Sequence, residues 1–168
     1  MPRLDTHRID AWRNLQTLTG LIERSVDEAL RAEWDIPLGW YDVLGSLQRR
    51  GGTARPQAVA DDLRLPPSSL SRRMDRLEEE GWIARARSET DDRRAIEIEL
   101  TRTGRRLWRE MGVTYRRAVQ AGFAVHLDDE MIDRVHELVA ILAPLHDPDR
   151  SEPAHDATLA APSDLGEG

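Results

Sequence analysis

Residues 68–104 read SSLSRRMDRLEEEGWIARARSETDDRRAIEIELTRTG, and the succession of patterns in this stretch decides the fold. Leu70, Met74 and Leu77 step by four and three, so they share one face of a helix. Ser68, Ser69, Ser71, Arg72, Arg73 and Arg76 then project elsewhere, and Gly81 ends the helix. Farther on, Ile96, Ile98 and Leu100 alternate with Glu97 and Glu99, the period of a half-buried strand. Residues 82–100 are therefore predicted to form two strands around a tip, SETDDRR, that places Asp91, Asp92, Arg93 and Arg94 in a row.

Upstream, TARPQAVADDLRLPP predicts a short helix. Pro56 suits its first turn, where a missing N–H costs nothing, and Ala58, Val59, Ala60 and Leu63 are apolar. Leu65-Pro66-Pro67 breaks the chain, and Ser68 or Ser69 is expected to cap the next helix. Two short helices joined by a tight turn outline a helix-turn-helix, and a hairpin directly after them makes it a winged helix.

The flanks are helical. Ile9, Trp12, Leu15, Leu18, Ile22, Val26 and Ala29 predict a helix over about 5–31. Pro37 and Gly39 break the chain before WYDVLGSLQRRGG, where Tyr41, Leu44 and Leu47 line one face. After LTRTG, Leu107, Met111, Tyr115, Ala118 and Gly122 predict a helix over 102–122. A last helix opens at Asp128, with Leu127 and Ile132 placed as a hydrophobic staple, and runs to about Leu145. The expected class is mainly α with a small β wing: an N-terminal helix (5–33), a winged helix-turn-helix (37–100), C-terminal helices (101–146) and a tail (147–168). The tail's acidic, Pro-, Ala- and Gly-rich composition predicts disorder.

Composition narrows the function. The chain of 168 residues has no cysteine, which excludes disulfides, thiolate metal sites and cysteine redox sensing. Its 24 basic residues are all arginine, so every basic contact is a planar, bidentate guanidinium. The net charge of −7 is uneven. From Asp147 onward six acids face only Arg150, whereas 64–109 holds twelve arginines against nine acids. Overall acidity is thus no argument against a nucleic-acid partner. His7, His126, His136, His146 and His155 show no metal-binding spacing, and no metal or cofactor is expected. No phosphate loop or Gly-x-Ser-x-Gly is present, so no enzyme is expected; Asp91-Asp92 and Asp128-Asp129 suit a wing and a helix cap. Without a signal-peptide run or a membrane-spanning stretch, a cytoplasmic protein is expected.

The residue types on the second short helix suit a DNA major groove. Arginine makes paired hydrogen bonds to guanine, and serine reaches bases or phosphates. Arg93 or Arg94 at the wing tip suits a narrow minor groove, with Asp92 placed to orient a guanidinium. Arg55, ahead of the first short helix, completes the candidate contacts. One competing reading is a solvated helix face, with Arg72 paired to Asp75 or Arg76 to Glu79 or Glu80. Another is a winged helix that binds a protein and no DNA. Such a module would show an apolar patch in place of Arg72, Arg73, Arg76, Arg93 and Arg94.

With these motifs assembled, residues 68–104 resemble the recognition helix and wing of the MarR family of bacterial transcriptional regulators. The family's wing signature (Asp, any residue, Arg, a spacer, then Leu-Thr leading into a helix) is matched by Asp92, Arg94 and Leu100-Thr101. Gly81-Trp82-Ile83 and Gly104 also fit. The similarity spans roughly Asp5 to Leu145 and departs in the acidic tail. It implies a homodimer joined through the first and last two helices, with two winged helices on a palindromic operator in double-stranded DNA. It also implies repression released by a small phenolic or lipophilic effector, bound between the dimer helices and the winged helix. Trp12, Trp40, Tyr41, Leu44, Trp108 and Met111 are candidate pocket residues, the alternative for each being ordinary core packing. Trp82 is assigned to packing.

Overall fold

The computed structural model describes residues 3–87 and 96–146. The wing tip with Asp91, Asp92, Arg93 and Arg94, and the tail 147–168, lie outside the described residues.

Helix α1 (Thr6–Trp34) opens on Asp5, whose carboxylate accepts the Arg8 N–H at 2.9 Å. It runs a turn beyond the apolar pattern and ends at Asp35 in the left-handed region. A tertiary contact holds that extra turn, since the Trp34 indole N–H donates to Thr114 Oγ1 on α5 at 2.9 Å. Helix α2 (Leu38–Arg49) starts where the Leu38 N–H donates to the Asp27 carboxylate at 2.8 Å, so a side chain of α1 caps α2.

The winged helix follows as β1 (Thr53–Ala54), α3 (Pro56–Asp62), α4 (Pro67–Glu79), β2 (Ile83–Arg87) and β3 (Ile96–Leu100). The antiparallel sheet has the order β1-β3-β2, with Ile83 opposite Leu100 and Thr53 opposite Glu99. The hairpin matches expectation, and β1 is an addition. Two residues are too few to show a period, and only pairing with β3 makes Thr53-Ala54 a strand.

A single apolar core gathers around α2. Val43, Leu44 and Leu47 meet Val59 of α3, Leu70, Met74 and Leu77 of α4, and Ile83, Ile98 and Leu100 of the sheet. Val26 and Leu30 of α1, with Trp108 and Met111 of α5 (Arg102–Gly122), join the same cluster. Helices α1 and α5 thus pack into one compact unit with the winged helix, up to Phe123. A polar tie fixes α3 on α2. Asp62 accepts Ser46 Oγ at 2.7 Å and both Nε and Nη2 of Arg50, at 2.9 and 2.7 Å. The Arg50 hydrogen bonds hold the Asp62 carboxyl below its ordinary range.

The Leu-Thr-x-x-Gly segment explains itself at the start of α5. Thr101 Oγ1 accepts the Gly104 N–H at 3.0 Å and sits within hydrogen-bond distance of the Gly81 and Trp82 carbonyls. A Cβ at position 104 would lie 2.1 Å from the Trp82 carbonyl oxygen, so only glycine lets the helix start against the strand.

Beyond Phe123 a second unit holds a 3-10 turn (Ala124–His126) and helix α6 (Asp129–His146). Asp128 caps α6 as expected, accepting the Met131 N–H at 2.9 Å. Met131, Val135, Leu138, Val139, Ile141, Leu142 and Leu145 are all exposed along it.

Candidate nucleic-acid interface

Helix α4 is amphipathic in the sense that matters for a recognition helix. Leu70, Met74 and Leu77 are buried in the core, and Ser68, Ser71, Arg72 and Arg76 face solvent; Ser69 is half-buried. The expected serine cap is not made. Pro66 holds the N-cap position, Pro67 the first turn, and no side chain caps the helix. Proline supplies the helical φ in advance, which leaves the Ser68 and Ser69 hydroxyls uncommitted to capping.

The exposed arginines are lightly engaged. Arg72 has no carboxylate partner among the described residues, and its Nε lies 3.4 Å from the Ser68 carbonyl of its own helix, a long contact. Arg76 pairs with Glu79 at 2.8 Å, but both side chains are more than 60% exposed, and such a pair contributes little. A phosphate or base edge could displace it at small cost. The Arg72–Asp75 pairing of the competing solvated-face reading is absent, and Asp75 pairs with Arg85 instead.

That arginine ties the wing to the recognition helix. From β2, Arg85 bonds Glu78 at 2.6 Å and also contacts Asp75, both on α4. The strand leading to the wing tip and the helix leading to the groove are thereby fixed to one another. Packing alongside is aromatic: Trp40 and Trp82 meet edge to face at 5.9 Å, consistent with the packing role expected of Trp82. Arg55 is exposed at the N-cap of α3 and makes no side-chain capping bond.

Arg73 departs from expectation. It is half-buried, and its Nη1 donates to the Gly39 carbonyl at 3.1 Å, across to the start of α2. Arg73 is three residues after Leu70 and four before Leu77, so it sits at the edge of the buried face, reaching α2 while lining one cleft together with Arg72 and Arg76. A Cβ at position 39 would lie 2.5 Å from that Nη1, and Gly39 is what makes room for the guanidinium.

Beside Arg73 opens a cleft of about 560 Å³. Gly20, Glu23, Arg24 and Asp27 of α1 line one side, Leu38, Gly39 and Asp42 of α2 the floor, and Leu63 and Leu65 of the α3–α4 turn the far wall. Burial raises the Asp42 carboxyl to about 6, against the opposing pull of Arg73 and Arg49 and with added repulsion from Glu23. A smaller cleft of about 450 Å³ lies between Trp40 and the Arg72–Glu79 stretch of α4.

The six candidate pocket residues do not form one set. Tyr41, Leu44, Trp108 and Met111 are buried in the core, with Tyr41 stacked between Trp108 at 6.0 Å and Tyr115 at 4.9 Å. Trp12 is 60% exposed on α1, and Trp40 lines the smaller cleft. Asp42 is the residue sequence reasoning missed. Its signal was a lone acid inside the apolar run of α2, WYDVLGSL, where an unpaired charge is costly.

A winged helix with an arginine-bearing second helix, entered from one long helix and left into two more, is a DNA-reading architecture. A family model described as the MarR family matches residues 34–94. The HTH-type transcriptional regulator PecS of Dickeya dadantii (strain 3937) is 32% identical over 105 residues, 61% of this chain and 62% of PecS, so the match spans less than two thirds of that relative. The HTH-type transcriptional repressor MdtR of Bacillus subtilis (strain 168) is 28% identical over 152 residues, 90% of this chain and 96% of MdtR. Among solved structures, the MarR family regulator Sco3205 of Streptomyces coelicolor, in complex with DNA, superposes with a TM-score of 0.77 at 26% identity, covering 90% of this chain and 95% of Sco3205. Residues 34–94 thus match the MarR family model, and the fold over most of the chain is similar to that of solved MarR family regulators.

Proposed function

We propose that the protein is a sequence-specific DNA-binding transcriptional regulator that acts as a homodimeric repressor and is released by a small aromatic or lipophilic acid. The observation that carries this reading is the division of α4. One face is buried in the core and fixes the helix, while Ser68, Ser71, Arg72 and Arg76 stand exposed without a strong internal partner. A protein-binding winged helix would show an apolar patch on that face, and this one is charged. Arg55 and the wing residues Asp92, Arg93 and Arg94 complete the proposed DNA contacts.

Dimerisation is supported by apolar surface that a single subunit leaves bare. Trp12, Leu15, Leu18 and Leu21 on α1 are each at least 41% exposed, and α6 carries a second such row. Isolated exposed leucines are ordinary, but runs of large exposed apolar residues on two helices support an interface. For the effector, the cleft beside Arg73 and Arg24 offers Leu38, Leu63 and Leu65 to a ring, and sets the two arginines among the carboxylates Glu23, Asp27 and Asp42. It shares the α3–α4 turn, so a ligand there acts next to the recognition helix. These features support a reading in which the effector sits beside α2 rather than among the buried Tyr41, Leu44, Trp108 and Met111.

The test is a gel-shift titration against operator candidates with random duplex as competitor. A discrete shift that survives competitor, falls steeply with salt, and is lost in Arg94→Ala or in the presence of a phenolic acid is the expected result. A wild-type protein that binds specific and random duplex alike, or neither, would sink the reading.

A further inference from the structure

Three helices of the winged helix end in the same way. In α2 the Gly51 N–H donates to the Gln48 carbonyl at 3.2 Å and the Gly52 N–H to Leu47 at 2.8 Å. In α4 Gly81 donates to Glu78 and Trp82 to Leu77, both at 2.9 Å. In α3 Arg64 donates to Asp61 at 3.1 Å and Leu65 to Ala60 at 2.9 Å. Each is the paired closure in which the first residue past the cap adopts the left-handed conformation. Gly51 (φ 82) and Gly81 (φ 72) fill that position in two of the three, where glycine has no Cβ to clash. The third holds Arg64 at φ 51. Apart from Asp35, a residue type that tolerates this region, Arg64 is the one non-glycine residue with positive φ among the described residues.

The left-handed backbone closes α3, but the arginine side chain itself gains nothing inside the subunit. Leu63 and Leu65 on either side are half-buried and line the cleft, whereas Arg64 between them is exposed and makes no side-chain hydrogen bond or ion pair among the described residues. Its position is the turn of the helix-turn-helix, two residues ahead of the N-cap of α4, and the residues that follow include the exposed Ser68 and Arg72. Strain retained without an internal partner points to a role outside the subunit.

We propose that Arg64 is a DNA-backbone contact: its guanidinium clamps a phosphate beside the groove that α4 enters and sets the depth of that helix. The inference rests on the DNA-binding reading above and adds a residue to it. The contact reads no sequence, so it should weaken specific and random duplex equally.

The test compares wild type, Arg64→Gly and Arg64→Lys by fluorescence anisotropy on a random-sequence 30-base-pair duplex across a salt series, with thermal melting of each protein. Arg64→Gly should melt no lower than wild type, because it removes the strained side chain. It should lose affinity by about 3- to 10-fold, with the salt slope reduced by about one per subunit. Arg64→Lys should keep most of the affinity and the slope. Wild-type binding with Arg64→Gly equal in affinity and slope overturns the Arg64 contact and leaves the DNA reading intact. A melting midpoint several degrees lower in Arg64→Gly also overturns it, assigning Arg64 to the fold. Wild type that binds no duplex at low salt removes both.

Discussion

The two halves of α1 both carry apolar residues at helical steps, by three in the first half and by four in the second, and meet different fates. Toward the C-terminus, Val26 and Leu30 are buried against the winged helix and α5, and Trp34 is anchored by Thr114. Toward the N-terminus, Trp12, Leu15, Leu18 and Leu21 lie open. Between them, at Gly20–Asp27, the helix borders the cleft that holds Asp42. Helical periodicity shows that a face is to be covered; what covers it, and whether it comes from the same chain, depends on the neighbours. Helix α4 repeats the lesson with charge. Arg72, Arg73 and Arg76 read as one cluster in the sequence, yet packing turns Arg73 onto α2.

The contrast between halves can be broken at either end. The largest effect is expected at the open end. Leu18→Asp should leave the subunit folded by circular dichroism but monomeric by sedimentation equilibrium, since each buried, unpaired carboxylate costs several kcal/mol at an interface. A dimer of undiminished affinity would show that this stripe is no interface. Leu30→Ala should act within the subunit, lowering unfolding free energy by about 2–5 kcal/mol in urea titration. A loss below about 1 kcal/mol would mean the covered half contributes no more than the open one.

At the boundary, Asp42 provides a pH test. Its folded pKa of about 6 lies above the ordinary 3.8, so the folded chain retains this proton longer than the unfolded chain does. Its contribution to stability therefore declines as pH rises from about 4 to 6 and remains lost at neutrality, by about 3 kcal/mol at most. Asp42→Asn should stabilise the protein at pH 7 and match wild type below the ordinary carboxylate range. A variant equally or less stable at pH 7 would mean that Arg73 makes the ionised carboxylate favourable. The smallest effect separates the arginines of α4. Arg72→Ala should cost about 1–3 kcal/mol of discrimination between operator and random duplex, read by competition binding. Arg73→Ala should instead lower stability and move discrimination only through the position of α4. Equal losses of discrimination without a stability change in Arg73→Ala would return Arg73 to the groove.

Much of this architecture was legible because local chemistry and global packing agree. The steps Leu70, Met74, Leu77 and the alternation Ile96, Ile98, Leu100 gave helix and wing, and Thr101 and Gly104 marked the start of α5. The site was legible in residue type more than in placement. Ser68, Arg72 and Arg76 do stand on the exposed face of α4, and Arg55 is exposed. Of the candidate pocket residues, Tyr41, Leu44, Trp108 and Met111 lie in the core, the alternative open to each large apolar side chain from the start.

By itself the sequence determined the element order, the winged helix and the charged character of its second helix, since these follow from periods of two and near four and from turn residues. Only the tertiary structure decided which arginine faces outward, that Asp62 ties α3 to α2, that Arg85 ties wing to helix, and that Asp42 lies in a cleft. The physical reason is range. Periodicity and capping act over a few residues, whereas burial, ion pairing and the strain at Arg64 depend on groups brought together from distant parts of the chain.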